Sequence, residues 1–192
     1  MTLSLHSRSL EVTSRSDAAL VRAVLSGDVE AYSGLVARHR DRLGRFALHM
    51  LGNREDAEEA LQDAFVRAFR ALAQCEEPAR FDAWLFRILV NRCRTTGGRR
   101  ARRERTFLPF DAHGSEPIQD HPADRLAWRE EIGRALRSLE PGQREAFVLK
   151  YVEDLSYEEM QVVTGVGVSA LKMRVKRACD RLRGMLEEAH RV

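Results

Sequence analysis

Apolar residues return at intervals of three and four through most of the chain, the period of helices with one buried face, and the pattern predicts an all-α fold. A first helix opens with Asp17 as its N-cap and carries Leu20, Val21, Val24 and Leu25. Gly27-Asp28 then closes it and caps the next. The second helix runs to about Leu51 with Tyr32, Leu35, Val36, Leu43, Phe46, Ala47 and Met50 inward, and Gly52-Asn53 supplies its C-cap and the following turn. From Asn53 a third helix turns Ala57, Ala60, Leu61, Ala64, Phe65, Ala68 and Leu72 inward, and a loop over Gln74 to Arg80 with Pro78 leads out of it. In the fourth, Phe81, Trp84, Leu85, Ile88 and Leu89 define one buried face, and Gly97 and Gly98 are expected to end the helix.

The pattern then lapses. Thr106 to Pro122 has three prolines, a glycine and neither helical nor strand period, so it predicts a flexible linker between two small helical domains, 17–105 and 123–192. Its acids are Asp111, Glu116 and Asp120, and fully extended it reaches about 60 Å. Residues 1–16, rich in Ser and Thr without a period, read as a disordered leader. In the second domain a helix over Asp124 to Leu139 points Leu126, Ile132, Leu136 and Leu139 to the core. Pro141 starts another, in which Phe147, Val148, Leu149, Tyr151 and Val152 continue that core. Ser156-Tyr157-Glu158-Glu159 is a capping box for a short helix ending at Thr164-Gly165. Val168 to about Leu186 follows as a helix with Leu171, Val175, Ala178 and Leu182 inward. Helix, glycine-containing turn and second helix make a helix-turn-helix.

Charge sharpens this picture, because a net +3 hides a strong segregation along the chain. The third helix is acidic at Asp56, Glu58, Glu59 and Asp63, with Gln62 among them. The helix macrodipole accounts for Glu55 and Asp56 but not for Asp63, which leaves plain solvation and docking of a basic partner both open. The fourth helix presents Arg87, Asn91 and Arg94 as a stripe, with Phe86 and Val90 beside it, and continues into Arg99, Arg100, Arg102, Arg103 and Arg105. These side chains suit phosphates, base edges and base stacking. The last helix carries Ser169, Lys172, Met173, Lys176 and Arg177 on its free face, with Arg174 at the edge. Cys75, Cys93 and Cys179 are odd in number and far apart, so neither a disulfide framework nor a zinc site is indicated. No apolar run reaches the 18 or so residues of a membrane span and no signal-peptide core opens the chain, which predicts a cytoplasmic protein without membrane insertion. The absence of a phosphate-cradling glycine loop and the scatter of six histidines argue against catalytic, metal and cofactor sites.

The residues from Asp17 to Arg183 resemble the extracytoplasmic-function, or group IV, sigma factors of bacterial RNA polymerase. GNREDAEEALQDAFVRAF is similar to region 2.2 of that family, FDAWLFRILVNRCR and the arginines after it to regions 2.3 and 2.4, and LEPGQREAFVLKYVEDLSYEEMQVVTGVGVSALKMRVKRACDRLR to region 4. The resemblance implies that Asp56, Glu59, Gln62 and Asp63 dock to the clamp helices of the polymerase β′ subunit, with the β flap a further contact of the core enzyme. It implies that Arg80, Arg87, Asn91, Arg94, Arg99 and Arg100 capture and unpair the minus-ten element, and that Ser169, Lys172, Met173, Lys176 and Arg177 read the minus-thirty-five element. It implies an anti-sigma factor as a further partner, and location in the nucleoid when polymerase-bound. Three positions depart from the family: Gly167 where Ser is frequent as N-cap, Gln161 where a small residue is usual at a helix crossing, and Met173 in place of a small polar residue on the DNA face. A free-standing helix-turn-helix regulator with the first domain as a sensor is the alternative. It predicts tight operator binding without polymerase.

Overall fold

The computed structural model describes residues 15–106 and 132–189, and every regular element among them is helical. The first domain comprises α1 (Asp17–Leu25), α2 (Ala31–Leu51), α3 (Arg54–Arg70), two 3₁₀ turns at Leu72–Gln74 and Pro78–Arg80, and α4 (Phe81–Thr106). After a helical stretch at 132–137, the second domain comprises α5 (Pro141–Tyr151), α6 (Tyr157–Thr164) and α7 (Val168–Ala189). Residues 1–14, the linker with Asp111, Glu116 and Asp120, and Leu126 lie outside the described residues.

The N-cap of α1 is Ser16 and not Asp17, because Ser16 holds the extended backbone from which a side chain reaches back to accept the Ala19 N–H, at 3.3 Å. Asp17, one position inside, is released to pair with Arg38 and with His39 Nε2 at 2.9 Å. His39 is buried between two acids, its Nδ1 lying 3.5 Å from Asp82. Asp28 does not cap α2: Ser26 is the C-cap of α1, and Val29 and Glu30 stand between Asp28 and Ala31, with Glu30 at the N-cap position. Gly52 ends α2 in the left-handed region at φ 74°, and the Asn53 side chain accepts the Asp56 N–H at 2.7 Å to begin α3.

Two expectations about α4 fail for one reason, the breadth of its packing. The helix runs through Gly97 and Gly98 to Thr106, and neither glycine has positive φ. Glycine in a helix costs about 1 kcal/mol relative to alanine, a penalty that tertiary contacts can outweigh. Such contacts exist: Gly97 lies against Leu51, and Arg100 reaches Asp56 on α3. The buried arc is also rotated from the one expected. Phe81, Leu85, Phe86, Leu89, Val90 and Cys93 are buried, whereas Trp84 and Ile88 are half-buried. Phe86 is therefore no stacking platform; it is 1 % exposed and meets Phe46 edge-on at 4.7 Å. Burial of each such ring contributes about 2–3 kcal/mol by transfer.

In the second domain Leu136, Leu139, Val148 and Leu149 join Met160, Val163, Leu171, Val175 and Ala178 in the core, with Leu182 half-buried against it. Ile132, Tyr151 and Val152 do not; they are 50 %, 58 % and 45 % exposed. Tyr151 and Val152 stand at the open end of α5, where the Tyr151 ring leans on Phe147 at 4.9 Å. The domains touch directly, α6 packing on α4 and α5 on α2. Gly52 sits so close to Arg137 that a Cβ there would come within 2.9 Å of its Cδ.

Candidate nucleic-acid interface

With Ala57, Ala60, Leu61 and Ala64 turned inward, α3 directs Asp56, Glu59, Gln62 and Asp63 outward. The four are not equivalent. Glu59 and Gln62 are exposed, but Asp56 accepts from Arg100 at 3.3 Å, and Asp63 pairs with Arg92 of α4 and with Arg67 at 3.1 Å. The acidic face of one helix is thus clipped to the arginine-rich helix beside it. Val66 and Phe69 extend the same face as exposed apolar residues, and Phe69 meets Tyr32 edge-on at 5.0 Å. Arg92 was not legible as a site residue, because its partner is on another helix and periodicity gives no cross-helix pairing.

On α4, Arg87 and Asn91 are exposed, as are Arg99 and Arg100, while Arg80 stands exposed in the preceding 3₁₀ turn, 3.8 Å from Glu77. Over the seven residues from Arg87 to Arg94 the stripe climbs about 10 Å. Arg94 is turned to the other domain. Its Nε and Nη2 donate to the two carboxylate oxygens of Glu145 at 2.7 Å each, and its Nη1 donates to the Thr164 carbonyl at 3.1 Å. Asn91 Oδ1 lies 3.5 Å from the same guanidinium. Cys93, just beneath, is inert: burial first, and the Glu145 charge second, push its thiol up to about 12.

The helix-turn-helix is built as its sequence predicts. Glu159 N–H donates to Ser156 Oγ at 3.2 Å, and Ser156 N–H returns a bond to the Glu159 carboxylate at 2.8 Å, which holds that carboxyl below its ordinary range. Gly165 is left-handed at φ 71°, and Thr164 Oγ fixes the turn by donating to the Met160 carbonyl at 2.7 Å and accepting the Val166 N–H at 3.1 Å. Across the turn, Gln161 is exposed and obstructs no helix crossing. Leu171, Val175 and Ala178 are buried, leaving Ser169, Lys172, Met173, Lys176 and Arg177 exposed along α7. Lys172 Nζ lies 5.5 Å from the Tyr157 ring centroid, a cation–π contact that orients the ammonium. Arg174 at the edge is half-buried beside Gly142. No helix among the described residues is long and apolar enough to cross a membrane.

Comparison with known proteins gives two matches in the same order as the two domains: residues 35–105 match the family model for sigma-70 region 2, and residues 129–182 that for sigma-70 region 4. The ECF RNA polymerase sigma factor SigE of Mycolicibacterium smegmatis is 35% identical over 160 residues, which span 81% of this chain and 62% of that protein. SigM of Mycobacterium tuberculosis, also an ECF RNA polymerase sigma factor, is 36% identical over 177 residues, 90% of this chain and 85% of the relative. Among solved structures, the sigma factor RpoE from Bartonella quintana in complex with the anti-sigma factor NepR superposes with a TM-score of 0.67 at 26% identity, covering 81% of this chain and 96% of that one. An all-helical chain with a region 2 domain, a region 4 helix-turn-helix and this identity to SigM belongs to the extracytoplasmic-function sigma factors of the sigma-70 family, the non-enzymatic initiation factors through which bacterial RNA polymerase recognises promoters.

Proposed function

We propose that the chain divides its work between two faces on two domains. Residues 17–105 dock to core polymerase and take the minus-ten element, and residues 123–192 take the minus-thirty-five element. On α3, Glu59 and Gln62 meet the β′ clamp helices directly, while Asp56 and Asp63, held by Arg100 and Arg92, shape that face and fix α4 beside it. Arg87 and Asn91, with Arg80, Arg99, Arg100 and a released Arg94, hold the opened minus-ten strand. Ser169, Lys172, Met173, Lys176 and Arg177 enter the major groove at the minus-thirty-five element, the β flap supporting the second domain. The protein works in the cytoplasm and joins the nucleoid with polymerase. An anti-sigma factor restrains it, as suggested by the complex in which the Bartonella RpoE was solved.

The observation that supports this reading is that both faces are cationic and exposed while the opposite side of each helix is core: Arg87 and Asn91 over Leu85 and Leu89, Lys172 and Lys176 over Leu171 and Val175. Asn91 carries the distinctive chemistry. Arginines hold phosphates on either strand, whereas an amide adds directional hydrogen bonds to a base edge that has left its pair. Asn91→Ala is therefore expected to impair promoter melting more than duplex binding. Permanganate reactivity of unpaired thymines, beside gel-shift affinity for closed and pre-opened templates, tests this; equal losses on both templates would sink base capture.

A further inference from the structure

The outward face of α7 is cationic at its flanks and apolar at its pole. At about 100° per residue, the inward side chains of Leu171, Val175, Ala178 and Leu182 fall within an arc of roughly 60°, and Met173 stands about 180° from its middle. Ser169 and Lys176 lie to one side of Met173 and Arg177 to the other, with Lys172 and Arg174 further round at the two edges. Both edges are fixed to neighbouring helices. Lys172 Nζ shares the half-buried Tyr157 ring of α6 with Lys150 Nζ, each 5.5 Å from the centroid, and Lys150 is itself held by donating to the Leu155 carbonyl at 3.0 Å. Arg174 lies over Gly142 at the start of α5, its guanidinium 3.4 Å from where a Cβ there would stand. Met173 between them is 49 % exposed. Its unbranched thioether has three rotatable bonds and shapes itself to an irregular surface.

A helix set in the major groove turns its pole to the base edges and its flanks to the phosphates of the two strands. Base donors and acceptors facing a thioether lose their water and gain no hydrogen bond, whereas the thymine methyl is the apolar group that the groove offers. We propose that Met173 selects thymine in the minus-thirty-five element by covering its ring methyl, while the tethered Lys172 and Arg174 hold the register from the two sides. The inference rests on the assignment of α7 to that element. It adds what the element contains: at least one thymine, on either strand, at the centre of the α7 footprint.

A binding selection tests this, with the full chain assembled on core RNA polymerase and a pool of random-sequence duplexes as the probe. In the best-bound duplexes each thymine is then replaced in turn by deoxyuridine, which pairs in the same way and lacks only the ring methyl. For the native chain, at least one replacement in the minus-thirty-five element is expected to weaken binding about fourfold, the worth of one methyl group withdrawn from a buried contact. Met173→Ser is expected to erase that sensitivity, and Met173→Leu, which keeps an apolar side chain, to retain it. Both substitutions fall on an exposed helix face, where stability changes little. A native chain indifferent to every replacement in that element overturns the methyl contact. So does a Met173→Ser chain that keeps the native sensitivity. Lys172→Ala separates this inference from the assignment beneath it. If Lys172→Ala weakens binding to the same duplexes while no methyl sensitivity is found, α7 stays in the groove and only the choice of base by Met173 falls. If Lys172→Ala and Met173→Ser both bind as the native chain does, α7 leaves the DNA and the inference goes with it.

Discussion

The basic faces of α4, all arginine apart from Asn91, and of α7, two lysines and an arginine beside Ser169 and Met173, are both cationic and meet different surroundings. On α7, Lys172, Lys176 and Arg177 are exposed, with no carboxylate of another helix paired to them among the described residues, and the buried stripe beneath is narrow and regular. On α4 the arginines alternate in their commitments: Arg92 goes to Asp63, Arg94 to Glu145 and Arg100 to Asp56, while Arg87 stays exposed. A long helix at the junction of two domains is reached by acids from both sides. A helix on the outer edge is not. A side-chain cation therefore stands open to solvent in one place and serves as a structural tie in the other, according to the reach of neighbouring carboxylates.

The largest expected effect separates two acids that look alike on α3. Asp63→Lys removes the partner of Arg92, whose side chain is 12 % exposed, and sets two cations together. The loss is expected to be about 2 kcal/mol after allowance for partial exposure, a melting-temperature fall of roughly 4–8 °C. Glu59→Lys, on an exposed residue, is expected to leave the melting temperature within about 1–2 °C and to weaken core-polymerase pull-down nonetheless. Equal melting temperatures for the two variants would erase the distinction between tie and docking residue.

A smaller effect is expected on the free face. Lys172→Ala and Arg177→Ala are each expected to weaken binding to promoter duplex by about 1–2 kcal/mol, and to lower the salt slope by about one where the lost contact is to phosphate. Titrations at several salt concentrations read both quantities. Wild-type affinity for both variants at every salt concentration would move the recognition surface off α7.

The difference between the faces also explains what could be read from the chain alone. The exposed α7 face, the capping box at Ser156 and Glu159 and the end of α6 at Thr164-Gly165 are local: each depends on residues within a few positions, and each appears as expected. The α3 core positions follow for the same reason. What escaped is non-local. Phe86 and Val90 are buried because α4 is covered on more than one side, and the helix runs on through Gly97 and Gly98 with Leu51 against Gly97 and Arg100 tied to Asp56 just beyond them. The partners Glu145 and Arg92 belong to elements that periodicity treats one at a time.

The smallest expected effect concerns how the α7 face is held. The orientation of α7 depends on α6 and its turn, and α6 is closed at its N-terminus by the reciprocal bonds of Ser156 and Glu159. The Ser156 backbone N–H, followed by its hydroxyl, holds the Glu159 carboxyl below its ordinary range. A carboxyl lowered in the folded state contributes stability that is fully present above its unfolded value, about 4.3, and is lost as pH falls through the lower folded value. Protonation leaves the Ser156 N–H only a neutral, weaker acceptor and removes the favourable charge at the helix start. Glu159→Gln keeps an acceptor but cannot titrate, so the variant is expected to be slightly less stable than the native chain at pH 7 and to converge with it as pH falls below about 4. Urea unfolding followed by circular dichroism between these limits measures the gap. A gap that stays constant to pH 3 would mean that the carboxylate charge contributes nothing at this cap and that the hydrogen bonds alone hold α6.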